Sequence, residues 1–251
     1  VASAAASFGD LCVLLFDHDS DYARPLYFIL LYAITVPLHI YGGNPFWVVS
    51  TILGVLSLLF IVLYCLAIIK DADISDTQYQ TDFTDGMNFM RYLHITAWFF
   101  IGVEAMTLGN NNIKDAGNKV PFAMAACICT LFITAICIML AVASIPPGTT
   151  YLTSALLPLE YGYRLSLKCT KRIAALLMLP GIIGTAYGFQ FAYTRQLNAM
   201  ASSGLIPKFI SGMWGPNNSP AVACLVGSFM SLALLLGCYR SFNHFSAKLF
   251  S

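Results

Sequence analysis

Between Phe46 and Ile69 the chain carries no charged side chain. About 20 apolar residues are what a helix needs to cross the hydrocarbon of a bilayer, where each backbone N–H and C=O must be paired inside the segment. Comparable runs recur. Read by length, they give spans at roughly 25–42, 46–69, 92–110, 120–145, 172–200 and 220–239, with 1–16 as the last part of another. Composition agrees: 58% of the 251 residues are hydrophobic and 10% charged, where a soluble domain has about 25% charged. The expected class is all-α integral membrane, with 1–251 a single, partial transmembrane domain. The chain has no starting Met and no cationic n-region, and Val1–Phe16 opens mid-helix, which reads as a fragment rather than a signal peptide.

The links between spans carry their own punctuation. Tyr41-Gly42-Gly43-Asn44-Pro45 is a tight turn, with Pro45 near a helix start where a missing N–H does little harm. Residues 70–90 hold Asp71, Asp73, Asp76, Asp82 and Asp85 and read as an aqueous loop. Pro121 is expected to open the 120–145 helix and Pro146-Pro147-Gly148 to close it. Residues 149–171 and 204–220 read as two further aqueous connections. The charge count opposes a cytoplasmic placement of the segments after 110 and 200. That side would hold Lys114, Lys119, Arg195 and Lys208, and the other side Arg24, Lys70, Arg164, Lys168, Lys171 and Arg172.

Several function classes fall away. A net charge of +1 without a Lys/Arg cluster gives no footprint for nucleic acid. Cys12, Cys65, Cys127, Cys129, Cys137, Cys224 and Cys238 lie in apolar runs with no CxxC, and read as small buried packing residues. His18, His39, His94 and His244 are scattered, so no metal site and no membrane di-metal enzyme is expected. No enzymatic nucleophile with a base at membrane depth stands out.

What remains is an acid in the wrong place. Glu104 sits in Phe99-Phe100-Ile101-Gly102-Val103-Glu104-Ala105-Met106, an apolar setting where an ionisable group costs at least a few kcal/mol and marks a functional site. Gly102 and Gly109 make this a segment that can break. A break at Ile101–Val103 would free carbonyls for an ammonium group and present a half-helix N-terminus to a carboxylate or to Glu104 itself. The plainer alternative is close helix packing at Gly102 with Glu104 paired to a neighbour. A second stretch spaces Pro180, Gly181, Gly184 and Gly188 near one face, with Thr185, Tyr187 and Gln190 as hydrogen-bonding groups. It suits a packing seam and a cavity wall equally. Arg195 reads as an anchoring cation near a helix end that Gly204 stops, and Asp10 is a lesser candidate.

Together these stretches resemble the amino acid–polyamine–organocation (APC) superfamily of secondary transporters. Phe100-Ile101-Gly102-Val103-Glu104, Lys114, Pro121 and Ala123 match that family's sixth helix, and Arg195, Leu197, Ala199, Met200, Gly204, Pro207 and Lys208 its eighth helix and following loop. Pro180-Gly181-Ile182-Ile183 and Phe191 to Gln196 are similar to the ethanolamine-permease branch, as is the His39-Ile40-Tyr41-Gly42 turn. The resemblance implies a LeuT-like fold running here from the end of helix three to helix nine, with 111–119 and 201–219 cytoplasmic. It implies substrate-binding roles for Trp98 as an aromatic gate, for the carbonyl of Ile101 at Gly102, for Glu104 as a carboxylate of transport and pH response, and for Phe189 as an inner aromatic. Asn111-Asn112 replace the family's acidic pair, Lys114-Asp115-Ala116 its K-N-P, and Ser202-Ser203 its Arg-Asp. Helix one, which carries the other half of the family's site, lies outside the chain.

The resulting expectation is a secondary active transporter of an amino acid or small amine, working by alternating access, in a lipid bilayer and by family default the plasma membrane. It needs no cofactor, though H+ or Na+ coupling fits, and its oligomeric state is open. The alternative is a transport-inactive APC-like sensor or assembly partner.

Overall fold

The computed structural model of the chain describes residues 1–16, 23–69, 98–144 and 158–237. The acidic 70–90 stretch, residues 92–97 of the broken span, Pro146-Pro147-Gly148, Cys238 and three of the four histidines lie outside the described residues. Among the described residues there is no β-strand, only an antiparallel bridge between Trp214 and Ser219. The architecture is all-α.

Seven α-helices are described: α1 Ala2–Phe16, α2 Ala23–Tyr41, α3 Gly43–Ile68, α4 Ala116–Ala143, α5 Pro158–Leu167, α6 Lys171–Ser202 and α7 Ala221–Gly237. Four of them, α2, α3, α4 and α6, are long and apolar enough to cross a membrane. Each of these four contains a proline inside it or in its opening turn, with distinct consequences. Pro45 stands two residues after the start of α3, where no N–H is missed. Pro121 lies inside α4, because the helix begins at Ala116 rather than at the proline. There Asp115, at φ 58, turns the chain, and its carbonyl accepts the Lys119 N–H at 3.1 Å. Pro37 and Pro180 are interior and each removes one backbone bond from α2 and α6.

The chain forms two compact units. The first comprises Val1–Phe60 and Lys168–Ser251. In it α1, α2, α6 and α7 pack on one another around a core of Ala5, Phe8, Cys12, Phe28, Leu31, Tyr32, Ala186 and Leu235. Small residues set the approach: a Cβ on Gly9 would enter the Phe28 ring, and one on Gly227 would enter the Tyr193 ring. The Gly42-Gly43 turn, at φ 62 and 61, lies under Ser219 and Asn217, and Asn217 Nδ2 donates to the Tyr41 carbonyl at 2.8 Å. The 214–219 loop therefore closes the C-terminal end of α2, where last-turn carbonyls have no partner in their own helix.

The second unit is Ile61–Leu167. Its 98–112 segment packs against α4. Where a plain aqueous connection is expected, α5 forms, carrying a Glu160–Arg164 pair at 3.7 Å one turn apart. Tyr163 stands edge-on to Tyr64 with ring centroids 5.0 Å apart, and burial pushes its phenol up to about 12. Most of α4 is exposed, including Cys129 and Cys137. These two thiols depart from the buried reading because no described residue covers their face; Cys12 and Cys224 are buried as expected.

Candidate functional site

The segment around Glu104 is not an α-helix. Trp98–Phe100 and Val103–Asn112 are 3-10 turns, and between them Gly102 adopts φ 106 and ψ −15. A Cβ at Gly102 would meet nothing within 4 Å. Backbone conformation, not space, is what demands glycine here, since side chains on an L-residue disfavour that left-handed region.

The carboxylate is spent on the break itself. Glu104 Oε2 accepts the Gly102 N–H at 2.9 Å, and the Gly102 carbonyl accepts the Ala105 N–H at 3.1 Å. The Thr107 hydroxyl donates to the Glu104 carbonyl at 2.7 Å. Glu104 thus supplies the acceptor that a regular helix would have supplied from its own backbone. It is exposed, as is Ile101 at 43%. Among the described residues the Glu104 side chain reaches back only as far as residue 102.

Ile101, Gly102 and Glu104 share this one turn, and the backbone of Trp98 opens the 3-10 segment before it. Phe189, half-buried on α6, belongs to the other unit. Lys114 and Asp115 follow the turn and are exposed; the Asn118 amide donates to the Asp115 carboxylate at 3.2 Å.

The glycines of α6 divide between the two uses the sequence leaves open. A Cβ at Gly181 or Gly184 would sit in ordinary contact with Ser57 and Leu53 of α3, at 3.7–4.0 Å, so these two form a packing seam. Gly188 meets nothing within 4 Å. Tyr187, Gln190 and Thr194 recur at helical spacing and are buried on one face of α6. Gln190 Nε2 donates to Ser228 Oγ at 3.0 Å, and Tyr193 Oη lies 2.6 Å from the same oxygen. Tyr32 Oη bonds Ser231 Oγ at 2.7 Å one turn along α7. Sequence reading singled out Tyr187 and Gln190 but not Ser228 or Ser231; the small Gly227-Ser228 pair inside an apolar run is the signal that points to them.

His39 joins this polar interior from α2. Its Nδ1 lies 2.9 Å from the Thr35 carbonyl and its Nε2 3.1 Å from the Tyr187 carbonyl. The ring lies 4.3 Å from the Tyr187 ring and 5.1 Å from Phe46. Phe46 stacks on Phe191 at 5.3 Å, and the Arg195 guanidinium carbon stands 5.3 Å from the Phe191 centroid, a cation–π contact. Arg195 is thus held by an aromatic ring. Asp10 pairs with Arg24 at 3.4 Å and ties α1 to α2, a structural role.

Among the described residues no three His, Cys, Asp or Glu side chains gather as a metal site would require. A family model described as amino acid permease matches residues 1–249.

Proposed function

The chain belongs to the amino acid permease family, and on that premise we propose that it moves an amino acid or small amine across a membrane by alternating access around the Gly102 turn. The family carries amino acids through membranes, and helices α2, α3, α4 and α6 have the length and apolarity of an integral membrane protein. The observation that supports the finer reading is the left-handed Gly102 between two 3-10 segments. Irregular backbone at membrane depth survives only where it is covered by protein or lines a cavity.

In this reading the carbonyl of Ile101 receives the substrate ammonium, Trp98 closes over it, and Phe189 lines the inner pathway. Glu104 governs the turn: bonded to Gly102 it holds the break in shape, and taking up a proton would weaken that bond. The transport is secondary active, driven by an H+ or Na+ gradient, at the plasma membrane.

The test is uptake of labelled amino acids and ethanolamine by the full-length protein in proteoliposomes, beside Glu104→Gln. The expected result is uptake that falls at least tenfold in the variant and loses its pH dependence. Unchanged uptake and pH profile would remove Glu104 from the mechanism.

A transport-inactive sensor or assembly partner is the second reading, favoured by one observation. Ser202 and Ser203, where the family has an Arg-Asp pair, spend their hydroxyls on the Asn198 and Met200 carbonyls of their own helix, at 2.9 and 3.0 Å. Substrate binding without flux would select it.

A further inference from the structure

The loop from Gly204 to Gly215, expected to be an aqueous connection, carries a surface that water would not favour. Leu205, Phe209, Met213 and Trp214 are exposed at 75%, 67%, 53% and 61%. Their neighbours point the other way: Ile206 and Ile210 pack with Ala201, Ala223 and Leu197. The loop therefore has an inner apolar side that builds the fold and an outer one that no described residue covers.

The outward side chains are held there by a fixed backbone. Gly204, at φ 82, ends α6, with the Leu205 N–H bonding the Met200 carbonyl at 3.0 Å. A 3-10 turn covers Lys208–Ser211, and the Trp214–Ser219 bridge closes in both directions at 3.0 and 3.1 Å. A Cβ at Gly215 would lie 2.8 Å from the Ile40 carbonyl, and Asn217 bonds Tyr41. The exposure of Phe209 and Trp214 is a property of the folded loop.

Charge narrows the partner. After Glu160 the sequence holds no acidic residue, while Lys208 stands exposed between Leu205 and Phe209. The loop follows directly on α6, a helix long and apolar enough to cross a membrane, and such a crossing would leave the loop at one face of the bilayer. Tryptophan and lysine favour the headgroup depth at such a face, and apolar side chains there gain burial a few ångströms into the acyl boundary.

We propose that the Gly204–Gly215 loop is a membrane-surface anchor for anionic phospholipid: Leu205, Phe209, Met213 and Trp214 seat below the headgroups, and Lys208 meets a headgroup phosphate. The anchor is independent of whether the Gly102 turn transports anything.

The test uses the full chain with Trp47→Phe and Trp98→Phe, leaving Trp214 as its one tryptophan. In nanodiscs, shallow-brominated phosphatidylglycerol is expected to quench Trp214 severalfold more than deep-brominated lipid, with aqueous acrylamide nearly without effect. Lys208→Gln should lower bound phosphatidylglycerol relative to phosphatidylcholine about fivefold by native mass spectrometry. Phe209→Ser, checked for monodisperse elution, should raise acrylamide access. Quenching by acrylamide and not by bromolipid would place the loop in water and overturn the proposal. Protection from both would mean another protein surface covers it, and would overturn it equally. Equal retention of the two lipids by the parent and Lys208→Gln would overturn the phosphate contact.

Discussion

His39 on α2 and Tyr187 on α6 are joined through the imidazole Nε2 and a main-chain oxygen 3.1 Å apart, while the other ring nitrogen faces the Thr35 carbonyl at 2.9 Å. Both partners are acceptors. A neutral imidazole has one N–H and satisfies one of them at a time; only the imidazolium donates at both. Two aromatic rings, Tyr187 and Phe46, flank it at 4.3 and 5.1 Å. The residue is therefore a bridge between two helices that sequence places 148 positions apart.

His39→Phe keeps the aromatic bulk and removes both ring nitrogens. The expected cost is about 1–3 kcal/mol, the penalty for stranding a buried polar group, seen as a lower melting temperature in detergent. His39→Gln, whose amide nitrogen can still donate to one of the two carbonyls but which lacks the ring, should fall between the parent and the phenylalanine variant.

Gly102→Ala tests the backbone requirement with no steric confusion, because a Cβ there meets nothing within 4 Å. Forcing a non-glycine residue into that φ costs about 1–3 kcal/mol locally. Substrate uptake should fall while expression and monodispersity hold. Gly188→Ala, also free of contacts, is the control and should change neither.

What the sequence made legible follows the range of the interactions involved. The uncharged run in α3 needs no partner to be read, and Gly102 is visible because glycine beside an acid is rare in an apolar stretch. Three features were hidden. The bond from Glu104 back to Gly102 goes with a left-handed dihedral at Gly102 that composition does not encode. The helix α5 spans Pro158–Leu167 and carries Arg164 and Glu160 in a stretch polar enough to read as a loop. His39 looked isolated because its acceptor comes from α6. Likewise Gly181 and Gly184 separate from Gly188 only when α3 is placed against them.

Ser228→Ala removes the oxygen that Gln190 and Tyr193 share. A buried amide and a half-buried phenol lose a partner at once, so about 1–3 kcal/mol is expected. Gln190→Met in the Ser228→Ala background should recover part of it, since an unpaired amide is worse than none. Thermal unfolding of the four variants, read as a cycle, gives the coupling.

Gly9→Ala drives a methyl into the Phe28 ring and should destabilise by about 1–3 kcal/mol. Phe28→Leu makes room, so the double variant should be more stable than the sum of the two single changes. Strict additivity would mean that α1 and α2 shift apart instead.

The bond between Glu104 and Gly102 spans only two residues, and the side chain that makes it is exposed. An exposed side chain changes rotamer in picoseconds to nanoseconds. Such a clasp can open and re-form many thousands of times within one microsecond-scale helix movement. The kinetic bottleneck of any cycle built on this turn must then lie elsewhere, and Glu104 would act on the fraction of time the turn holds its shape rather than on the rate of the slow step.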